Sequence, residues 1–271
     1  MAVNQLTTLS QSSLQDYVDC ARRFQLRYID RLSYPALDSE PAPENERRQR
    51  EGEFFHRLIQ QYLLGVPAQQ VSKLANTENL QRWWENFQAS FPALDEFGTL
   101  HAEATLSARL GNYRLLAKYD LLSVSNARIT IYDWKTYRKR PRNEWLAARM
   151  QTRTYRALLV HAGGHLNKSA FEPEQIEMVY WFSDFPNDPA RFSYTAPQYK
   201  RDWDLLVKLS DEIRNASTYP LTDDSSRCLF CPYRSYCERG IQAGDIDQAE
   251  AEMEAEVLFD VNFEQIGEIA F

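Results

Sequence analysis

The chain lacks any apolar run that approaches the roughly 18–20 residues of a membrane-spanning helix. Residues 1–6 contain no basic stretch and no long apolar segment, so nothing at the start of the chain indicates a secretory signal. We therefore expect a cytoplasmic protein with no membrane partner. Hydrophobic residues make up 44% of the chain, which is enough for a packed core.

Cysteine is scarce, with only four residues in the chain. Cys20 stands alone near the start, whereas Cys228, Cys231 and Cys237 form a C-x2-C-x5-C cluster near the end. Disulfides are rare in a reducing compartment, so two disulfides are the less favoured interpretation. Four thiolates that meet bind Zn²⁺ or an iron–sulfur cluster. The pattern predicts that the two ends of the chain meet around such a metal centre.

Basic residues are absent from the segment 241–271, which holds nine acidic residues. The net charge of −7 therefore belongs to this acidic tail, and the rest of the chain is close to neutral. We expect the tail to be a flexible, solubilising end. The alternative is that it mimics DNA in a basic groove or docks a protein partner.

Hydrophobic periodicity divides the chain into helices at both ends and strands in the middle. We expect a helix over 10–32, a loop over 35–50, helices over 51–64 and 77–91, strands over 102–110, 113–124 and 128–136, a helix over 143–161, strands over 175–183 and 191–195, and a helix over 198–216. Strands grouped in mid-chain and flanked by helices indicate an α/β core.

Two carboxylates and a lysine fall on neighbouring strands of the predicted meander. Asp133 and Lys135 point to the same face of one strand, because strand side chains alternate. Asp120 approaches them if its strand pairs with theirs. Two such carboxylates repel unless a hard cation such as Mg²⁺ or Mn²⁺ lies between them, and a nearby lysine can neutralise charge on a phosphate. An isolated Asp-x-Lys is more often a solvated ion pair.

Six motifs in order carry a resemblance to a known family. They are Leu9-Ser10-x-Ser12-Ser13-Leu14-x-x-Tyr17-x-x-Cys20-x-x-Arg23-Phe24, Gly52-x-x-x-His56, Asp120, Asp133-x-Lys135, Gln151-x-x-x-Tyr155 and Cys228-x-x-Cys231-Pro232-Tyr233-x-x-x-Cys237. Over residues 9–238 the chain resembles the RecB-like branch of the PD-(D/E)XK nuclease superfamily, in the iron–sulfur form found in the AddB nuclease domain and in CRISPR-associated adaptation exonucleases. Ala117 departs from the pattern, since the family often has glycine near this position.

The resemblance implies a restriction-endonuclease-like α/β fold with a central mixed sheet flanked by helices. It implies a single nuclease domain over 1–240, with a helical N-terminal insertion over 35–100, a catalytic core over 101–184 and a C-terminal iron–sulfur segment. Cys20 and the segment 228–237 would form the cluster site, and 241–271 would be the acidic tail.

The resemblance also implies the site residues. His56, Asp120 and Asp133 would bind Mg²⁺ or Mn²⁺, and Lys135 would activate water or stabilise the transition state. Gln151 and Tyr155 lie four residues apart, so one helix face can present both to the site. Glu103 is a candidate for an outer role. The cysteines that would hold a [4Fe-4S] cluster are Cys20, Cys228, Cys231 and Cys237.

Basic residues are concentrated directly after the predicted catalytic lysine, where a nucleic-acid backbone must pass. The candidate nucleic-acid-binding residues are Arg138, Lys139, Arg140, Arg142, Arg149 and Arg153. Tyr137 and Trp145 offer rings for base stacking, which suits single strands or frayed DNA ends. A solvated helix face is the ordinary alternative for such a charge run. We expect DNA binding that is salt-sensitive and largely independent of sequence.

The leading hypothesis is a metal-dependent DNA nuclease, an exonuclease in DNA processing, with a structural [4Fe-4S] cluster. One alternative is a non-catalytic nucleic-acid-binding or assembly subunit on the same fold. A second alternative keeps the nuclease and replaces the cluster with zinc. The sequence leaves open whether the enzyme serves CRISPR adaptation or DNA repair.

Overall fold

A computed structural model describes residues 7–32, 42–91, 98–125, 128–167, 170–228 and 231–240. The predictions made for the acidic tail lie outside these residues. Nothing among the described helices has the length and apolar character of a membrane span. The predicted domain limits stay predictions.

A six-stranded mixed sheet forms the centre of the protein. Its strands are β1 (Thr8–Ser10), β2 (Thr99–Leu110), β3 (Tyr113–Val124), β4 (Ile129–Lys135), β5 (Ile176–Phe182) and β6 (Phe185–Ser193). β1 pairs in parallel with β3, and β4 pairs in parallel with β5, whereas the other pairs are antiparallel. This sheet confirms the predicted α/β core and the three-strand meander.

Helices flank the sheet. They are α1 (Gln11–Asp19), α2 (Ala21–Phe24), α3 (Ala42–Leu63), α4 (Ala68–Ser72), α5 (Glu78–Ser90), α6 (Asn143–Ala148), α7 (Met150–Ala162) and α8 (Ala196–Asn215). α1, α7 and α8 pack with the sheet around the larger apolar core. α3, α4 and α5 enclose a second, aromatic-rich core against Trp134 and Trp181 of the sheet.

Strand β3 pairs with two different strands along one edge, and a gap separates the two paired stretches. β1 pairs with it over Arg114–Leu116, and β4 pairs with it over Leu121–Val124. Between Leu116 and Leu121, neither β1 nor β4 pairs with β3. On the opposite edge β2 runs along nearly the whole of β3, except where Glu103 faces Asp120. Asp120 therefore lies at the point where β3 loses its regular partners.

Two predicted helices are broken in the structure. The predicted helix over 10–32 is wrong in its continuity, because Cys20 is extended (φ −161°, ψ 106°) and the turn that follows α2 is a π-helix over Gln25–Ile29. The predicted helix over 143–161 is interrupted at Arg149, which is also extended. The Gln15 amide oxygen accepts the Met150 N–H at 2.9 Å and so satisfies the start of α7. Tertiary contacts decide both breaks.

Two other predictions are corrected at their limits. The predicted loop over 35–50 is wrong from residue 42 onward, because α3 begins at Ala42. Glu, Arg and Gln are good helix formers, and proline is tolerated in a first helical turn. The predicted strand over 191–195 is the end of a longer β6. Its two prolines are tolerated because β6 is an edge strand.

Candidate active site

The two acidic residues of the site approach each other across the opened sheet. Asp120 comes from β3 and Asp133 from β4. Asp120 Oδ2 accepts the backbone N–H of Trp134 at 2.8 Å, so this carboxylate takes a place that a strand partner would otherwise fill. The contact holds Asp120 beside Asp133, as the sequence predicted from the meander.

His56 reaches this pair from α3. Its Nδ1 lies 3.3 Å from Asp120 Oδ1. Burial lowers the pKa of His56, but the Asp120 carboxylate outweighs it, so the pKa of His56 is raised from its ordinary value. Burial in turn raises the pKa of Asp120, and His56 together with the Trp134 N–H reverses this, so the pKa of Asp120 is lowered. The helical segment 42–90 thus contributes directly to the site.

Asp133, Lys135 and Gln151 are linked in a ring by one ion pair and two hydrogen bonds. Lys135 Nζ lies 3.0 Å from Asp133 Oδ2 and donates to Gln151 Oε1 at 2.9 Å. Gln151 Nε2 donates to Asp133 Oδ1 at 2.7 Å. Burial raises the pKa of Asp133 to about 7, with the Asp120 carboxylate adding to the rise and Lys135 opposing it. The lysine alone does not compensate the two buried carboxylates.

Tyr155 lies beside this set rather than in it. Its hydroxyl donates to Lys118 O at 2.8 Å, inside the interrupted stretch of β3, and its ring packs on Tyr119 with centroids 4.7 Å apart. Burial raises the pKa of Tyr155 well above its ordinary value, so the phenol keeps its proton. Gln151 contacts the predicted catalytic residues, whereas Tyr155 holds the adjoining backbone.

Sequence reasoning missed two features of the site. Tyr180 of β5 donates to Gln151 Oε1 at 3.4 Å and lies 2.7 Å from the Thr152 hydroxyl, which fixes the amide orientation. Glu103 has a left-handed backbone (φ 55°) directly across from Asp120 and forms an ion pair with Lys118. Such irregularities re-aim side chains next to active sites. No local sequence signal marks a glutamate for this conformation.

The donor set suits a hard divalent cation. Two carboxylates and an imidazole can serve as ligands of such an ion, and burial together with the Asp120 carboxylate raises the pKa of Asp133, so a nearby cation would favour its ionised form. Within the described ranges, no three His, Cys, Asp or Glu side chains stand close enough to hold a metal ion without adjustment. The residues fit the ion chemically and would have to close around it.

The four cysteines are free thiols in one neighbourhood. Burial raises the pKa of Cys231 to about 11, and burial also raises the pKa of Cys228 and Cys237. Cys20 adds to the rise of the pKa at all three, so it lies near each of them despite more than 200 intervening residues. The predicted meeting of the chain ends agrees with this proximity, although the described residues do not present a formed cysteine metal site.

Further contacts join these ends. Arg227 pairs with Asp19 directly before Cys20, and Tyr233 donates its hydroxyl hydrogen to Leu32 O at 3.0 Å. The buried Arg23 guanidinium, whose side chain is 3% exposed, pairs with Asp16 at 2.7 Å and opposes part of the burial-driven rise in the pKa of the Cys231 thiol. A positive charge is thus already present where thiolates would gather.

Three of the predicted nucleic-acid-binding residues have acidic partners, and the binding role of the set as a whole stays a prediction. Arg140 pairs with Asp188 at 2.8 Å, Arg149 lies 3.8 Å from Asp19 and over the Trp145 ring, and Arg153 lies 3.6 Å from Asp202. Lys139 and Arg142 are exposed, and Arg138 is half-buried. Tyr137, predicted to stack on bases, is buried and packs against Phe182. Lys139 and Arg142 are therefore the exposed residues among the six candidates.

A comparison with protein families decides the assignment. The model of the PD-(D/E)XK nuclease superfamily matches residues 8–238. The chain belongs to this superfamily. Asp133-x-Lys135 lies within the matched range, on the strand beside that of Asp120. The finer resemblance to the RecB-like iron–sulfur form stays a prediction.

Two solved structures resemble this PD-(D/E)XK chain at low identity. One, described as SSO0001, is 12% identical with a TM-score of 0.41, and the match covers 87% of each chain. The other, a "Putative exonuclease" from Eubacterium rectale, is 10% identical with a TM-score of 0.49, and the match covers 80% of this chain and 85% of the other. Neither likeness extends the assignment beyond the superfamily. None of the curated proteins compared with the chain matches it.

Proposed function

We propose that this PD-(D/E)XK nuclease is a metal-dependent DNA exonuclease with a structural [4Fe-4S] cluster. The observation that carries the catalytic part is the meeting of Asp120 and Asp133 with Lys135 in one buried set. A non-catalytic subunit would have no need of such an arrangement, because buried carboxylates cost stability.

His56, Asp120 and Asp133 would hold Mg²⁺ or Mn²⁺. When bound, such an ion polarises a phosphoryl oxygen and lowers the pKa of water. Lys135 keeps a positive charge beside the phosphate position, where it stabilises the negative charge that develops during cleavage. Gln151 accepts from Lys135 and donates to Asp133, so it fixes the distance between the ammonium and the carboxylate.

The four cysteines would hold the cluster. Iron–sulfur clusters take four thiolates, and binding releases the protons that the raised thiol pKa values retain. Arg23 offsets part of the resulting negative charge. A link between residues so far apart in sequence contributes on the order of 5 kcal/mol by the loop-entropy argument used for disulfides. The alternative is a zinc ion held by the same thiols. The colour and metal content of the purified protein distinguish zinc from the cluster.

DNA would enter beside Arg138, Lys139 and Arg142, with the strand end near Lys135. Exposed cations supply affinity for phosphates without base recognition, so binding falls steeply with salt. Single-stranded or frayed ends fit the proposal, because the Asp120 and Asp133 side chains are only 17% and 5% exposed. A role in CRISPR adaptation or in repair follows from neither site.

Cleavage of labelled DNA in Mn²⁺ tests the catalytic proposal. Wild-type protein should shorten linear single strands and leave closed circles intact, whereas Asp133→Ala should leave both substrates intact. Cleavage of closed circles would indicate an endonuclease instead of an exonuclease. If neither protein cleaves any substrate while both bind DNA, the non-catalytic subunit replaces the enzyme.

Anaerobic purification tests the cluster. We expect a brown protein that absorbs broadly near ~400 nm and contains about four iron atoms per chain. A colourless protein with one zinc per chain would support the rival. A Cys20→Ser variant should lose colour and stability together, and a variant that stays folded with its cluster would refute the role of Cys20.

A further inference from the structure

Arg48 of α3 makes contacts that tie this helix to the end of the catalytic strand. Its Nη2 and Nε donate to Thr136 O at 2.6 and 3.1 Å, one residue after Lys135. Its Nη2 also lies 3.2 Å from Asp184 Oδ2, and its guanidinium lies over the Trp83 ring at 5.3 Å. The Arg48 side chain is 15% exposed. Forked donors of this kind fix geometry as well as adding energy.

Asp184, in the turn between β5 and β6, binds side chains of two helices, α3 and α5. Its Oδ1 accepts from Arg82 Nε at 3.0 Å and from Trp83 Nε1 at 2.9 Å, both on α5, while its Oδ2 faces Arg48 of α3. The same turn receives the Asn86 side-chain amide at Ser183 O, 2.8 Å away. One carboxylate therefore holds two helices at the end of the sheet where Lys135 lies.

Helix α3 also carries His56. Arg48 and His56 are eight residues apart, which is about 12 Å along the helix axis. A helix of this length is stiff between the two points, so fixing Arg48 limits where His56 can reach. Phe55 packs α3 against Trp181 of the sheet directly beside His56. Arg48 attaches the helix at a second point about two turns earlier, so we expect both contacts to bear on the 3.3 Å distance between His56 and Asp120.

We infer that Arg48 and Asp184 form a clamp that positions His56 for metal binding. The inference rests on the proposed metal-dependent function. Arg48 is a positioning residue: it touches the backbone beyond Lys135 and acts on the metal through α3 and His56. Residues that orient metal ligands in this way typically change metal affinity 10- to 100-fold when removed.

A double-mutant cycle on Mn²⁺ affinity tests the clamp. The affinity is measured by calorimetry and by the Mn²⁺ concentration at half-maximal cleavage. Arg48→Ala should weaken Mn²⁺ binding about 10-fold in the wild-type background. In a His56→Ala background the same change should have no further effect, because the residue that it positions is gone. Arg48→Lys should restore only part of the affinity, since it lacks the fork.

Arg47→Ala is the matched control, because Arg47 is the exposed neighbour on the same helix. It should leave Mn²⁺ affinity unchanged. A lower melting temperature of Arg48→Ala with unchanged Mn²⁺ affinity would overturn the clamp and leave a purely structural contact. An equal loss in both backgrounds would overturn it as well. If wild-type protein binds Mn²⁺ without cleaving DNA, the proposed function fails while the binding cycle still tests the clamp.

Discussion

We expect opposite changes in the free energy of unfolding when each of the two carboxylates of the site is replaced by a neutral side chain. Burial raises the pKa of Asp133 from 3.8 to about 7, so in the metal-free protein ionisation of this group opposes folding. The unfolded chain loses this proton at a lower pH than the folded chain does. The free energy of unfolding therefore falls as pH rises from about 4 to 7. At pH 8 the cost reaches an upper limit of about 4 kcal/mol, against about 2 kcal/mol at pH 5.

Asp133→Asn removes this cost, and the attraction of Lys135 at 3.0 Å is already contained in the Asp133 pKa of about 7. In chelator the variant should therefore unfold at higher urea than wild type, with an upper limit to the gain of about 4 kcal/mol at pH 8 and about 2 kcal/mol at pH 5. Asp120→Asn is the control. The pKa of Asp120 is lowered, so its ionised form stabilises the fold above its ordinary pKa and its loss destabilises at pH 8. An Asp133→Asn variant less stable than wild type at pH 8 would refute the reasoning.

Three further predictions concern the neighbours of this pair. Lys135→Met should slow cleavage about 100- to 1000-fold and move Mn²⁺ binding to higher pH, because Lys135 lowers the pKa of Asp133; calorimetry across pH checks this, and an unshifted midpoint would contradict it. Glu103→Gly should be at least as stable as wild type and Glu103→Val less stable by about 1–3 kcal/mol, because only glycine accepts φ 55° without strain; equal urea midpoints would argue against the strain. Cys237→Ser should lose iron and melt at lower temperature than the anaerobic wild type, and full iron retention would speak against its role as a ligand.

The strands and the catalytic pair could be predicted because their signals are local. Alternation of apolar residues marks β2, β3 and β4, and tight turns between them bring Asp120 to Asp133. The motif Asp133-x-Lys135 places both side chains on one face, and the structure keeps them 3.0 Å apart. The ordering of six motifs then gave the superfamily.

The rest depends on contacts between distant residues, which periodicity cannot report. The helix breaks lie beside contacts from elsewhere in the fold: Arg227 pairs with Asp19, next to Cys20, and Gln15 accepts the Met150 N–H, next to Arg149. The basic run after Lys135 looked continuous in sequence, yet two of its arginines have acidic partners, Asp188 and Asp19. Charge patterning along the chain does not show which cations are already paired.

The central claim is that the centre formed by His56, Asp120, Asp133 and Lys135 cleaves phosphodiester bonds with a divalent cation. The most direct measurement is the rate at which wild-type protein and Asp120→Asn degrade end-labelled single-stranded DNA, each in Mn²⁺ and in chelator. We predict degradation by wild-type protein in Mn²⁺ alone. Equal degradation by the folded Asp120→Asn variant, or by wild-type protein in chelator, would contradict the account.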